Sequence, residues 1–180
     1  MLTLFIPKQE YYNEVEERFF EADEFFLHLE HSLISLSKWE SKHQKPFLSS
    51  TEKSSDEIFS YIEFMILDES YPADLFSRLS GENIKKINDY IESKESATII
   101  NNRNQPRGRS ETITSELIYY WMVAFQVPFE CERWHLNRLF ALLQICGIKN
   151  SKPQKMSKSE MAARNRELNA KRRSQYNTTG

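Results

Sequence analysis

The chain has 180 residues, a net charge of −2 and 13% aromatic residues, which is enough apolar material for one domain with a substantial core. Its mean hydropathy is −0.63, and no apolar run reaches the roughly 18 residues of a membrane span. The opening stretch MLTLFIPKQE lacks the basic start and long apolar run of a signal peptide, which predicts an intracellular protein.

Charge is distributed unevenly along the chain. Residues 1–30 carry eight acidic against two basic residues, and residues 151–180 carry eight basic against two acidic ones, which gives −6 and +6. This asymmetry predicts a charged tail that docks on a partner. Without that tail the protein is net −8 (−2 minus +6), which would repel a polyanion. An acidic protein surface, such as the N-terminal segment of a neighbouring copy, is therefore a simpler partner than nucleic acid.

The N-terminal third predicts a short strand followed by a helix. Leu2, Leu4 and Ile6 alternate with other residues in the period of a strand, which Pro7 ends. The acidic stretch to about residue 17 is predicted to be a loop or a wide hairpin, and residues 18–21 either return as a strand or start the helix. That helix is predicted over about residues 23–41, because five apolar residues recur at spacings of three and four. They are Phe26, Leu29, Leu33, Leu36 and Trp39.

The middle of the chain predicts helices and then a hairpin. Ser54 and Glu57 fit a capping box that opens a helix running to about residue 67. Pro72 opens a short helix, and Ser80 caps another. Two β-favouring pieces then predict an antiparallel hairpin near residues 97–113, with a long polar and basic loop that is either a binding loop or an exposed tip.

The last core helices are predicted after residue 113. Thr114 or Ser115 caps a helix that is apolar on nearly all sides and is predicted to be the most buried one. Residues 131–145 are predicted to form a further helix, with Gly147 in the left-handed position after its end. Cys131 and Cys146 would then lie too far apart along one helix to bridge, which predicts two free thiols.

A polar linker at residues 149–155 separates this domain from a basic helix to about residue 173. Ser157 and Glu160 form a second capping box at its start. The prediction is therefore a mainly α (α+β) fold, with a compact domain of five to six helices over residues 1–148 that includes the N-terminal strand and the hairpin. Residues 149–180 are the linker and a projecting basic C-terminal helix. Four arginines of this helix are the candidate partner-binding residues: Arg164, Arg166, Arg172 and Arg173.

Catalytic and metal sites are not predicted. His28 and His31 lie three residues apart, but no second set of ligands follows at a fixed spacing, so no metal or other cofactor is predicted. The chain has only four glycines and neither a glycine-rich phosphate loop nor a nucleophile motif, which argues against an enzyme.

Three blocks together resemble the tail assembly chaperones of long-tailed (siphovirus-type) bacteriophages and prophages. They are LEHSLISLSKWESKHQKPFL at 29–48, ITSELIYYWMVAFQVPFECERWHLNRLFALLQIC at 113–146 and KMSKSEMAARNRELNAKRRSQ at 155–175. The resemblance runs through nearly the whole chain. It implies a non-enzymatic protein of the host bacterial cytoplasm that is absent from the mature virion.

The same resemblance implies the partners. Chaperones of this family bind the tape measure protein, a long and helix-rich chain, while tail tube protein polymerises around it. The family has no catalytic residues to carry over. Two alternatives stay open: a structural tail or head–tail connector protein that remains in the virion, and a nucleic-acid-binding protein that uses the basic tail. A homo-oligomer is also possible, and no membrane partner is expected.

Overall fold

The computed structural model describes residues 1–13, 17–49, 52–99, 112–150 and 158–176. The chain divides into two compact units, Met1–Gly147 and Ile148–Gly180. The strands are β1 (Leu2–Ile6), β2 (Gln9–Asn13), β3 (Arg18–Ala22) and β4 (Phe25–Leu29). The helices are α1 (Leu33–His43), α2 (Ser55–Met65), α3 (Gly81–Glu92), α4 (Ser115–Ala124), α5 (Leu136–Asn150) and α6 (Lys158–Tyr176). Short 3₁₀ helices span Leu75–Arg78 and Phe129–Arg133. The mainly helical α+β fold class predicted from the sequence is thus confirmed.

The four strands make two antiparallel pairs, β1 with β4 and β2 with β3. Both pairs keep one register, since Leu2 lies opposite Leu29 and Gln9 opposite Ala22. They therefore form one long ribbon that is interrupted at residues 7–8 and 23–24. The buried guanidinium of Arg78 donates to the carbonyls of Pro7 at 3.1 Å and Asp23 at 2.6 Å, which anchors the ribbon where it is interrupted.

The prediction of a single helix over residues 23–41 is wrong. Residues 25–29 are strand β4, in which Leu27 and Leu29 are fully buried and Phe26 is 54% exposed. Helix α1 begins only at Leu33, where the Ser32 hydroxyl accepts the backbone N–H of Ser35 at 3.2 Å. The physical reason is that pairing with β1 buries the alternate residues of 25–29, and this long-range contact outweighs the local helical spacing. Of the two alternatives for residues 18–21, the return strand is confirmed as part of β3. Residues 9–13 form β2 and pair with β3, so the structure shows the wide hairpin and not the loop.

Two apolar clusters share helix α1. One contains Trp39 of α1 and lies between the β1–β4 pair and helices α2 and α3. The other contains Leu33 and Leu36 of α1 and joins them to α4 and α5. Trp39 donates its indole N–H to the carbonyl of Glu57 at 2.8 Å, so this buried ring also satisfies its polar atom.

Helix α4 is not the most buried helix that its composition predicts. Only Ser115, Ile118 and Met122 are buried, while Tyr120 is 65% and Val123 is 61% exposed. The helix lies at the surface of its cluster, so one stripe meets the core and the opposite side does not.

The predicted helix caps at Ser54, Ser80 and Thr114 are confirmed. Gly147 is not at a left-handed end, because α5 continues through it to Asn150 and no glycine described has a positive φ. Cys131 belongs to a 3₁₀ turn and Cys146 to α5, and both thiols are free.

The described ends of the hairpin predicted near 97–113 do not form strands. Residues 97–99 and 112–113 are irregular, and the intervening loop lies outside the described residues, as does Ser157 of the second capping box. In the described part of the chain, no helix is long and apolar enough to cross a membrane.

Candidate functional site

An open groove between α1 and the end of α2, which we call the α1–α2 groove, has the features of a binding site. Its volume is about 500 Å³. Five apolar residues line it, Met1, Ile34, Phe64, Ile66 and Leu67, together with the polar residues Glu30, Ser32 and Ser35. Two basic side chains, Lys38 and Arg133, also border it, and both are exposed.

Backbone hydrogen bonds place the floor of this groove. Helix α2 ends at Met65, and the next residues run beside β4, with the N–H of Leu67 donating to the carbonyl of His28 at 2.9 Å. The N–H of Glu30 likewise donates to the carbonyl of Met65 at 2.9 Å. This short extension of the sheet turns Ile66 and Leu67 towards α1, so the floor has little freedom to rearrange.

One carboxylate in the groove is already occupied. Glu30 accepts the N-terminal amine of Met1 at 2.8 Å and the hydroxyl of Tyr90 at 2.6 Å. Burial, and then the hydrogen bond to Glu30, raises the pKa of Tyr90. Because Glu30 is engaged in this way, the charges that the groove offers to a ligand are the two basic ones at its edge.

A second groove lies between α4 and α5, with a volume of about 360 Å³. Its lining is apolar apart from one glutamine: Ile113, Trp121, Phe125, Phe140, Leu143 and Gln144. This second groove fits the apolar side chains of another chain better than a polar small molecule, whose orientation requires several convergent polar groups.

His28 and His31, which lie three residues apart in the sequence, each contact a side chain from another part of the chain. His28 lies on β4, and its ring nitrogen Nδ1 is 2.9 Å from a carboxylate oxygen of Asp68. His31 is buried, and its Nδ1 is 2.6 Å from the hydroxyl of Tyr61. Within the described residues, no group of three or more potential metal ligands occurs.

His31 and His135 form a buried pair, with ring centroids 5.1 Å apart. Burial, and then repulsion from His135, lowers the pKa of His31 to about 3, so this ring is neutral at physiological pH. Both residues of the pair are buried, with 3% and 5% of their surface exposed. The position of the pair between α1, α2 and α5 gives it a structural role.

The four predicted arginines all lie on α6 and are exposed. At about 100° per residue, Arg164 and Arg172 are about 80° apart, whereas Arg166 and Arg173 lie on the opposite side of the helix. The four therefore make two pairs on two faces and do not form one patch. A partner that binds one face of α6 would use only one pair.

The groove residues are not marked as a site by the sequence. Ile34 falls outside the apolar stripe of its helix, and Leu67 lies two residues beyond Met65, the last residue of α2. The sequence does show that Ile34 and Leu67 are apolar and lie outside the buried stripes of α1 and α2. This observation indicates a groove only when the two helices are known to lie side by side.

The chain was compared with protein-family models, curated protein sequences and solved structures, and none of these comparisons finds a match.

Proposed function

We propose that this protein is a non-enzymatic tail assembly chaperone of a long-tailed bacteriophage or prophage. It holds segments of the tape measure protein while tail tube protein polymerises around that chain. The resemblance of blocks 29–48, 113–146 and 155–175 suggests the family, and the α1–α2 groove is the observation that supports a binding role.

The groove suits an amphipathic client helix. Helix-in-groove recognition places apolar anchors at spacings of three and four residues into an apolar cleft. Ile34 and Leu67 would contact such anchors, and the exposed charges of Lys38 and Arg133 favour acidic residues beside the client's apolar stripe. Because the floor is held by backbone hydrogen bonds, little conformational entropy is lost when the client binds.

Co-purification with the tape measure protein tests this proposal. The double variant Ile34→Glu/Leu67→Glu places two carboxylates in the groove and should weaken client binding at least about tenfold, since two apolar anchors are worth about 1 kcal/mol or more each. Ile58→Glu/Val123→Glu is the matched control, because Ile58 and Val123 are exposed and lie outside the groove. If both double variants capture the tape measure protein equally well and their circular dichroism is unchanged, the groove is not the client-binding site.

The basic tail is expected to add a second contact with client or tube subunits. Arg164, Arg166, Arg172 and Arg173 are the residues to which we assign it. Deleting residues 156–180 should reduce co-purification with the tape measure or tail tube protein. Undiminished co-purification by a folded truncation would contradict this assignment.

Mass spectrometry of purified virions separates a chaperone from a structural tail or connector protein. A chaperone is missing or far below one copy per structural position, whereas a connector is present at a fixed copy number. A fixed copy number in the virion would favour the connector function for this chain.

Nucleic-acid binding is the second candidate, because α6 is exposed and carries six basic against two acidic residues. Phosphate contacts by these side chains would give an affinity that falls steeply with salt. A gel shift with duplex DNA at near-physiological ionic strength would favour this function, and its absence under conditions that retain the tape measure protein would favour the chaperone.

A further inference from the structure

The distal half of the ribbon, β2 and β3, presents one face with two aromatic and two acidic side chains. Tyr12 lies opposite Phe19 and Glu10 opposite Glu21. Directly opposed residues share a face, and so do residues two apart on one strand, so these four side chains lie together. The Tyr12 and Phe19 rings are 5.1 Å apart, and these residues are 50% and 73% exposed. We call this surface the ribbon face.

The ribbon face is unfavourable when it stands alone. Glu10 and Glu21 are like charges in directly opposite positions, which destabilises a strand pair, and the two carboxylates share one neighbouring cation, Lys8, which pairs with Glu21 and also attracts Glu10. Among the described elements, β2 and β3 pack extensively only against each other. A two-stranded ribbon of this kind is marginally stable in water unless something covers it, which points to an occupant that is apolar and basic.

Helix α6 presents a face with that composition. Met161 and Leu168 are exposed, and at about 100° per residue they lie about 20° apart on the helix. Arg164 and Arg172 flank Leu168 at about 40° on either side. The face thus carries two apolar side chains beside two guanidinium groups, and we call it the Leu168 face.

The charges of the two segments match in size and are opposite in sign. Residues 9–22 hold five acidic and one basic residue, a net −4, and residues 158–176 hold six basic and two acidic residues, a net +4. We propose that the ribbon face of one copy binds the Leu168 face of α6 from a second copy. Met161 and Leu168 then cover Tyr12 and Phe19, while Arg164 and Arg172 meet Glu10 and Glu21.

A second copy suits this contact because each chain carries one ribbon face and one Leu168 face. A two-fold exchange would satisfy both segments of both chains at once and would close, as most homo-oligomers do. Guanidinium groups also form bidentate hydrogen bonds with carboxylates, so the contact has directional specificity in addition to apolar burial. It involves none of the α1–α2 groove residues and does not depend on the client proposed above.

Sedimentation velocity of the full chain tests the contact. The wild type should self-associate in low salt and dissociate as salt rises, because exposed ion pairs are screened. Arg164→Glu/Arg172→Glu should weaken self-association at least about tenfold, the effect of losing about 1.4 kcal/mol. Arg166→Glu/Arg173→Glu makes the same charge change on the opposite face of α6 and should retain the wild-type association.

Reversing the charges on both sides of the proposed contact is the decisive part of the experiment. Glu10→Lys/Glu21→Lys alone should be as defective as Arg164→Glu/Arg172→Glu alone. An equimolar mixture of these two variants should associate again, since the reversed ribbon of one matches the reversed helix of the other. A wild type that is monomeric in low salt overturns the proposal, and so does an equal loss of self-association in both arginine double variants. A mixture that stays monomeric also overturns it, and this is the result expected if α6 docks on the ribbon of its own chain.

Discussion

Glu40 is a buried carboxylate that joins three segments of the first unit. One oxygen accepts the backbone N–H of Ser115 at 2.7 Å, and the other accepts that of Phe47 at 2.9 Å. Since Ser115 is the first residue of α4, the carboxylate also lies at the positive end of that helix. Helix α1, the turn after it and the start of α4 are thus held by one side chain.

Glu40→Gln is therefore expected to destabilise the protein although it hardly changes volume. The amide group can accept with one atom only, so one buried N–H faces another donor. The expected loss is about 1–3 kcal/mol of unfolding free energy, measured by urea denaturation. Glu69→Gln, the same change at an exposed position, should leave the midpoint unchanged. Equal midpoints for both variants would contradict this role of Glu40.

Hydrogen bonds hold both rings of the His31–His135 pair. The N–H of Asn137 donates to Nδ1 of His135 at 3.3 Å, and Nε2 of that ring lies 3.0 Å from the carbonyl of Tyr90. Burial raises the pKa of Tyr61, so its hydroxyl keeps its proton and donates to Nδ1 of His31. Nδ1 of His31 is thus an acceptor, and protonation of this ring would remove the hydrogen bond from Tyr61 and place a charge in the core.

Stability should consequently fall as the pH falls below about 6.5, the pKa of histidine in an unfolded chain. The pKa of His31 in the folded protein is about 3, so between these values the unfolded state binds a proton that the folded state does not. Each pH unit in this window then costs up to about 1.4 kcal/mol. Urea denaturation between about pH 7 and pH 5 measures the slope.

His31→Gln should flatten that slope, because glutamine retains an acceptor for Tyr61 and does not titrate. His43→Gln removes a histidine outside the buried pair and is the matched comparison for the same substitution. If the His31 variant and the wild type lose stability in parallel over this range, the pair does not set the acid sensitivity.

At the scale of elements, local signals in the sequence located the helix starts. Ser54 and Glu57 make the complete capping box, with the Ser54 hydroxyl accepting the Glu57 N–H at 3.2 Å and Glu57 accepting the Ser54 N–H at 3.0 Å. Ser54→Ala should cost about 1 kcal/mol of unfolding free energy. Ser55→Ala, one residue later and also exposed, should stay within about 0.5 kcal/mol. Equal urea midpoints for the two variants would show that the cap contributes nothing.

The type of an element was predictable where one periodicity dominated. The prediction failed where a helical and a strand periodicity fitted the same residues. Residues 25–29 fit both a helical stripe through Phe26 and Leu29 and a strand alternation through Leu27 and Leu29. Only the pairing with β1, a contact between residues far apart in the sequence, decides for the strand. The exposure of Tyr120 and Val123 is a similar case, because composition shows that α4 is apolar but does not show how many neighbours cover it.

The candidate site was less predictable than the fold for the same reason. The α1–α2 groove is made by residues from different elements, and Leu67 and Ile34 become neighbours only through the hydrogen bonds between Ile66's segment and β4. The charge asymmetry between the chain ends was visible directly, since it requires only counting. The structure adds how the arginines of α6 divide between two faces.

At the scale of the whole molecule, the two units differ in how their stability arises. The first holds both apolar clusters. In α6, every side chain whose burial is described is exposed, including Met161 and Leu168. Most helical stability in proteins comes from the packing of an apolar face, and the described side chains of α6 show no such burial.

Truncation after Asn150 should therefore leave the first unit folded and nearly as stable as the full chain. The deletion removes α6 and the basic residues of the tail but no residue of either apolar cluster. At low protein concentration and high salt, which remove any association, the urea midpoint should shift by less than the equivalent of about 0.5 kcal/mol. Circular dichroism should lose helical signal in proportion to the 19 residues of α6. A loss of cooperativity in the truncated chain would mean that the tail is part of the folding unit, and the tail would then have a structural role in addition to any binding role.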